Sequence, residues 1–189
     1  MSAFTLHDKD SAPEGARPLL EAVEKKFGFI PGLMRVMAES PQAMEGYLTL
    51  SRLFEASGFD PVERQVVLLT VSAENGCTYC VAAHSGAAKM AGMPEAVLSA
   101  LRAGRPLPDA KLEALRRFTH KMVEKRGWLE EADIETFLAA GYERRHVLDV
   151  ILGVALKTLS NCTNHVAHTP LDEAFKPLAW QPPASAAAE

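Results

Sequence analysis

Apolar residues recur every three to four positions along most of this chain, and no stretch alternates apolar and polar residues for long. This spacing gathers the apolar side chains on one face of an α-helix, whereas a half-buried strand needs strict alternation. A chain of 189 residues can bury one well-formed core, or at most two small ones. We therefore predict an all-α protein with a polar arm over residues 1–17, one helical domain over 18–180 and a disordered Ala/Pro tail over 181–189.

Proline, glycine and capping residues mark where the predicted helices begin and end. Asp60 caps a helix that has Pro61 in its first turn, and the run "VVLLTVSA" within that helix predicts burial. Asn75 and Gly76 interrupt the helical pattern, and a new helix begins at about Cys77. The last long helix, "ERRHVLDVILGVALKTLSNCTNHVAH", is apolar on most sides in its middle, which indicates deep burial or a subunit interface. We therefore expect an obligate homo-oligomer.

The composition narrows the compartment and the class of partner. A net charge of -4 offers no basic surface for nucleic acid. No apolar run approaches the roughly 20 residues that span a bilayer, and the N-terminal sequence is too polar for a secretory signal. The protein is thus expected to be cytoplasmic, with neither a nucleic acid nor a membrane as its partner. Three cysteines, an odd number in a reducing compartment, argue against a disulfide framework.

The segment "NGCTYCVAAHSGAAK", residues 75–89, carries the most distinctive chemistry of the chain. Cys77, Cys80 and His84 occupy positions i, i+3 and i+7, which share one face of a helix. Unpaired N–H groups and the helix dipole favour a thiolate at a helix start, where a cysteine pKa can fall to about 3.5 to 7.5 from its usual value of about 8.5. His84 follows Cys80 by one turn, so we expect it to take the proton of that thiol.

Three other interpretations of the cysteine pair stay open at this point. Zinc normally has four ligands at a structural site and this segment supplies three, so Cys162, His165 or His168 would have to add the fourth. A structural disulfide is disfavoured in a reducing compartment. An inert packing pair agrees poorly with the polar neighbours and the glycine break. Cys162 itself is expected to be a small buried residue, and the two histidines either line the same pocket or are satisfied locally.

The segments "VERQVVLLTVSA", "ENGCTYCVAAH" and "DVILGVALKTLSNCTNH" resemble the carboxymuconolactone decarboxylase superfamily, specifically its AhpD-like alkylhydroperoxidase branch. The resemblance covers most of residues 30–175 and implies an AhpD-like helical bundle that assembles as trimers or hexamers. It further implies that Cys80 is the peroxidatic cysteine, that Cys77 donates a proton and resolves the sulfenic acid as a disulfide, and that His84 is the relay base. The implied substrate is a small hydroperoxide, no cofactor or metal is required, and a lipoyl-protein or thioredoxin-like dithiol restores the pair.

One position departs from the pattern of the family. AhpD-like proteins commonly have a glutamate twelve residues before the first cysteine, where this chain has Gln65. Gln65 cannot accept a proton, but it can hold a water or orient His84 by hydrogen bonding. We favour Glu74 as the replacement carboxylate because it ends the buried helix beside the cysteines, and a solvated charge at a helix end is the alternative. Tyr79, between the cysteines, either donates a hydrogen bond or packs.

The sequence therefore favours a thiol-dependent hydroperoxidase or disulfide reductase. Lactone decarboxylation, the reaction that names the superfamily, is the enzymatic rival, but it needs cationic or polar groups around a carboxylate and has no use for a C-x-x-C pair. The remaining rival is a non-enzymatic oligomer whose cysteines bind zinc or sense oxidation.

Overall fold

The computed structural model describes residues 4–183, and the regular elements within that range are all helical. The predicted all-α class is therefore confirmed, and most of the tail predicted over 181–189 lies outside the described residues. The α-helices are α1 (Arg17–Phe27), α2 (Gly32–Met37), α3 (Pro41–Glu55), α4 (Pro61–Glu74), α5 (Thr78–Met90), α6 (Glu95–Arg102), α7 (Ala110–Glu124), α8 (Glu131–Ala139) and α9 (Arg144–Ala167), and short 3-10 helices lie at Glu14–Ala16 and Glu173–Leu178.

The ends of α4 and α5 fall where local sequence chemistry puts them. The Asp60 carboxylate accepts a hydrogen bond from the backbone N–H of Glu63 at 2.8 Å, and the Glu63 carboxylate accepts one from the N–H of Asp60 at 3.0 Å. This reciprocal pair of bonds fixes the start of α4. The chain then turns at Asn75 and Gly76, and Cys77 is the N-cap of α5. The interruption predicted between the two helices is confirmed.

Helix α4 lies at the centre of the molecule and packs against α5, α7 and α9. Val66, Val67 and Val71 of α4 have no exposed surface. Helix α9 approaches α4 closely at Gly153, where an added Cβ would lie 2.7 Å from Cγ1 of Val67 and 2.9 Å from Cε2 of Phe54. Only a residue without a side chain fits this contact. The short distance between α9 and α4 also brings polar residues of α9 near α5.

A second cluster of buried side chains surrounds the start of α5. Cys77, Tyr79 and Cys80 pack with apolar residues of α1 and α2. The C-terminal 3-10 helix lies against α5, and the Arg102 guanidinium holds that segment by donating to the carbonyl of Leu178 at 3.1 Å. The first turn of α5 is therefore enclosed by α2, α9 and the C-terminal segment.

Helix α9 has a buried side and an exposed side. Leu148, Ile151 and Val166 are exposed apolar residues on it. Cys162 is exposed as well, so the prediction that it is a small buried residue is wrong. The apolar pattern runs around most of α9 and so does not reveal which side faces outward. In the part of the chain that the structure describes, none of the helices combines the length and the apolar character that a membrane crossing requires.

Candidate active site

Cys77 and Cys80 lie together at the start of α5. Gly76 turns the chain with a φ of 64°, and the N–H of Cys77 donates to the carbonyl of Ser72 at 2.9 Å. Both cysteines are free thiols, and their exposed fractions are 1% and 2%. The pair is thus in its reduced form, buried at a helix N-terminus.

The two sulfur atoms are not equivalent. The hydrogen bond between them raises the pKa of Cys77 and lowers the pKa of Cys80, although burial opposes ionisation of both. The amide Nδ2 of Asn164 lies 3.3 Å from Sγ of Cys80 and 4.0 Å from Sγ of Cys77. Hydrogen bonds donated to the charged form favour ionisation, so these contacts favour the thiolate form on Cys80 and the thiol form on Cys77.

A buried lysine on α9 supplies positive charge to this site. Lys157 is 1% exposed. The contact with Cys77 is the largest cause that lowers the pKa of Cys80, and burial opposes it; the charge of Lys157 and a hydrogen bond from it lower that pKa further. Among residues 4–183, Lys157 has no carboxylate partner. A buried ammonium group favours a negative charge nearby, in agreement with the lowered pKa of Cys80.

Lys157 also contacts His84. Its Nζ lies 2.9 Å from Nε2 of His84. An ammonium group only donates, so Nε2 accepts and Nδ1 carries the ring proton. Nδ1 donates in turn to Oε1 of Gln65 at 3.0 Å. Burial and then the charge of Lys157 lower the pKa of His84, in agreement with a neutral ring. The order across the site is Gln65, His84, Lys157 and Cys80.

The structure thus brings four of the predicted site residues together and adds two from α9. The four are Cys77, Cys80, His84 and Gln65. The added residues, Lys157 and Asn164, were missed by the sequence analysis. The available signal was the recurrence of polar side chains at helical spacing within the apolar segment "DVILGVALKTLSNCTNH".

Glu74 is not part of this group. Its carboxylate lies 2.8 Å from Nδ1 of His120 on α7, and its side chain is 32% exposed. Glu74 follows Gln65 by nine positions on α4. At 3.6 residues per turn, nine positions place two side chains on opposite faces of a helix. The prediction that Glu74 replaces the carboxylate missing at Gln65 is therefore wrong, because it rests on closeness to the cysteines along the chain and not on the face of α4.

Tyr79 fastens α5 to its surroundings. Its hydroxyl donates to Oδ2 of Asp172 at 2.5 Å and accepts from the N–H of Leu33 at 3.2 Å. The ring packs edge-on against Phe175, with the centroids 5.9 Å apart. Burial and the bond to Asp172 raise the pKa of Tyr79, so the phenol stays protonated. Tyr79 both donates a hydrogen bond and packs, and these contacts join α5 to α2 and the C-terminal segment.

The histidines near the end of α9 lie apart from the cysteine pair. His165, His168 and Cys162 are exposed, whereas Cys77 and Cys80 are buried. Over residues 4–183, the His, Cys, Asp and Glu side chains form no group of three or more that could hold a metal ion.

Asn75, Asn161 and Asn164 form a row of asparagines beside the cysteine pair, and Asn75 also lines a cavity. Nδ2 of Asn75 donates to Oδ1 of Asn161 at 2.9 Å, and Nδ2 of Asn161 and Oδ1 of Asn164 are buried without a hydrogen-bond partner among the residues described. The cavity has a volume of about 580 Å³, and its wall includes Asn75, Thr158 and apolar side chains of α7, α8 and α9. The cavity therefore borders the turn that precedes Cys77.

The model of the carboxymuconolactone decarboxylase family matches residues 38–121, which include Gln65, Cys77, Cys80 and His84. The matched residues contain the C-x-x-C pair of this chain. Lys157 lies on α9, beyond the residues that the family model matches. A comparison with curated proteins gives no match in sequence.

Solved structures share the fold over nearly the whole chain. An uncharacterized peroxidase-related protein from Ralstonia eutropha JMP134, an alkylhydroperoxidase AhpD core, matches with a TM-score of 0.82 and 21% identity over 92% of this chain and 94% of its own. A peroxidase-related protein from Silicibacter sp. TM1040 has a TM-score of 0.77 and 21% identity over 92% and 94%. The debrominase Bmp8 has a TM-score of 0.74 and 15% identity over 94% and 96%. The AhpD-like helical fold predicted for this chain is confirmed.

Proposed function

We propose that the protein is a thiol-dependent peroxidase in which the Cys80 thiolate reduces a small hydroperoxide and Cys77 then closes a disulfide with it. The observation that supports this most is the placement of the Cys80 sulfur 3.3 Å from the amide of Asn164, in surroundings where the thiol of Cys77 and the charge of Lys157 lower the pKa of Cys80. The thiolate is the nucleophilic form of cysteine. Cys77 is held as a thiol by the same contact and adjoins the sulfur that it must resolve.

The proposed reaction has two chemical steps and a reset. The Cys80 sulfur attacks the terminal oxygen of the hydroperoxide, the O–O bond breaks, and Cys80 becomes a sulfenic acid while an alcohol leaves. Cys77 then attacks the Cys80 sulfur, and water leaves as the disulfide forms. An external dithiol, on a lipoyl-protein or a thioredoxin-like protein, returns the pair to the reduced form by exchange. This chemistry needs no metal or organic cofactor.

The cavity beside Asn75 favours a hydroperoxide with an apolar organic group. Its volume of about 580 Å³ is in the range of small-molecule sites, and its wall is largely apolar. The asparagine row offers polar partners at the end nearest the cysteines. We therefore expect cumene hydroperoxide to react faster than hydrogen peroxide.

The rival functions agree less well with the geometry. Lactone decarboxylation needs a cationic group that is free to bind a carboxylate, but Lys157 is already engaged by the Cys80 thiolate and by His84. A zinc site needs further ligands beside the cysteine pair, and the candidate Cys162 is exposed while the pair is buried.

Single-turnover assays of the reduced protein test the proposal. In a Cys162→Ser background, Cys80→Ser should abolish consumption of cumene hydroperoxide because the attacking sulfur is gone. Cys77→Ser should consume one equivalent and stop at a sulfenic acid on Cys80, which dimedone traps for mass spectrometry. Cys162→Ser alone is the matched control and should react like the unsubstituted protein. A sulfenic acid trapped on Cys77, or undiminished consumption by Cys80→Ser, would refute the proposal.

A further inference from the structure

We propose that Lys157 is the general acid of this reaction, and that its ammonium group protonates the oxygen that leaves when Cys80 attacks the peroxide. The inference rests on the proposed peroxidase function. Ser160 and Asn164 follow Lys157 by one and two turns on the same side of α9, and they lie 3.9 Å and 3.3 Å from the Cys80 sulfur. Lys157, buried on that side and 2.9 Å from Nε2 of His84, therefore faces the sulfur at which the O–O bond breaks. An ammonium group has three protons, and the contact with His84 uses one of them, so protons remain for the side of Cys80.

The charge balance of the buried site supports this role. Before the reaction, the Cys80 thiolate and the Lys157 ammonium group compensate each other, and both residues are at most 2% exposed. The attack forms an S–O bond and breaks the O–O bond, whose electron pair stays on the departing alkoxide. If Lys157 gives that alkoxide its proton, the site passes from thiolate and ammonium to sulfenic acid and neutral amine. If the proton came from outside, a buried ammonium group would lose its counterion at a large electrostatic cost.

His84 does not supply this proton. Its single ring proton lies on Nδ1 and is donated to Gln65, while its Nε2 accepts from Lys157. A glutamate at position 65 could take the ring proton and complete a relay, but the Gln65 amide cannot. The Gln65 and His84 pair is therefore a positioning unit that holds the ammonium group of Lys157 against the reacting sulfur.

The Cys77 thiol is the other group next to the reacting sulfur that has a proton to give. That proton lies in the hydrogen bond to Cys80, and Cys77 needs to lose it only in the second step. The neutral Lys157 amine left by the first step can take that proton from Cys77. Lys157 then passes it to the hydroxide that leaves as the disulfide forms, which yields water. Reduction of the disulfide by a dithiol returns two protons, one to the Cys77 thiol and one to Lys157, and this regenerates the thiolate.

The test compares three reagents that differ in their need for a proton. Cumene hydroperoxide releases an alkoxide, peracetic acid releases acetate and iodoacetamide releases iodide, and only the first leaving group needs an acid. The rates are measured in a Cys77→Ala, Cys162→Ser protein, so that Cys80 is the only thiol. Lys157→Arg keeps the positive charge but cannot release a proton near neutral pH. Lys111→Arg is the matched control, since Lys111 pairs with Glu63 on α7 and α4, away from the sulfurs.

We expect Lys157→Arg to slow the reaction with cumene hydroperoxide by about 100-fold or more, the usual contribution of a general acid. The reactions with peracetic acid and iodoacetamide should change far less, so the ratio of the peracetic acid rate to the cumene hydroperoxide rate should rise by about 100-fold. Lys111→Arg should leave all three rates unchanged. An equal loss for the three reagents would overturn the inference and leave the peroxidase function standing, whereas an unsubstituted protein inert to both peroxides would overturn the function itself.

A second measurement does not depend on the folding of a variant. In the unsubstituted protein, the rate should depend only weakly on the basicity of the leaving oxygen across a series of hydroperoxides and peracids, because the acid neutralises that oxygen as it leaves. A dependence as steep as that of a small thiolate in solution contradicts a general acid at this site.

Discussion

The hydrogen bond from Asn164 to Cys80 makes a quantitative prediction about the Cys80 pKa. The amide Nδ2 of Asn164 lies 3.3 Å from the thiolate sulfur, and a hydrogen bond to a charged group contributes about 1.5 to 3 kcal/mol. One pKa unit corresponds to about 1.4 kcal/mol, so Asn164→Leu should raise the Cys80 pKa by about 1 to 2 units. Leucine fills a similar volume, and Oδ1 of Asn164 already lacks a hydrogen-bond partner among residues 4–183, so the fold should survive.

The assay is the pH dependence of iodoacetamide alkylation in a Cys162→Ser background, where the midpoint reports the thiolate. Asn161→Leu is the matched control, because Asn161 binds Asn75 and has no hydrogen bond to either sulfur in the residues described. The control should leave the midpoint in place. The reasoning is refuted if Asn164→Leu leaves the midpoint unchanged, or if both substitutions raise it by the same amount.

Three further predictions follow from packing and charge. Gly153→Ala should destabilise the protein by about 1 to 3 kcal/mol in urea unfolding, because the added Cβ would lie 2.7 Å from Val67. The control is Gly46→Ala in α3, where the added Cβ meets open space; it should stabilise the protein by up to about 1 kcal/mol. Because the pKa of His84 is lowered in the folded protein, the unfolded chain binds a proton below about pH 6.5 that the folded protein does not. The free energy of unfolding should therefore fall by up to about 1.4 kcal/mol per pH unit from pH 6.5 downward, and His84→Gln should remove this component. An identical pH dependence in both proteins would contradict the prediction. Leu148 is 67% exposed on α9, and we predict a homo-oligomer that buries this side chain. Light scattering should give a mass above that of a monomer, and Leu148→Glu should lower that mass. A monomer at micromolar concentration before substitution would contradict the prediction.

The fold and part of the site could be predicted because their signals are local. Helix ends depend on nearby residues such as Asp60 and Gly76, and the spacing of Cys77, Cys80 and His84 already places the three on one side of a helix. The pairing of Cys80 with Lys157 could not be predicted in this way, because it depends on how α9 packs across α4 at Gly153.

Two errors show where local signals mislead. The prediction of Glu74 as the replacement carboxylate rests on its closeness to the cysteines along the chain. On α4, however, Glu74 lies on the face opposite Gln65 and contacts His120. The prediction that Cys162 is buried rests on its lack of a close thiol partner in sequence, but it is exposed, because the apolar pattern of α9 does not show which side faces outward.

The central claim is that a hydroperoxide oxidises Cys77 and Cys80 as a pair. The most direct measurement adds one equivalent of cumene hydroperoxide to the reduced protein and analyses the tryptic peptides by mass spectrometry. We predict that the peptide spanning residues 65–89 loses two hydrogens through a disulfide, while the peptide that contains Cys162 keeps its thiol. Oxidation of Cys162 with residues 65–89 still fully reduced would contradict the account.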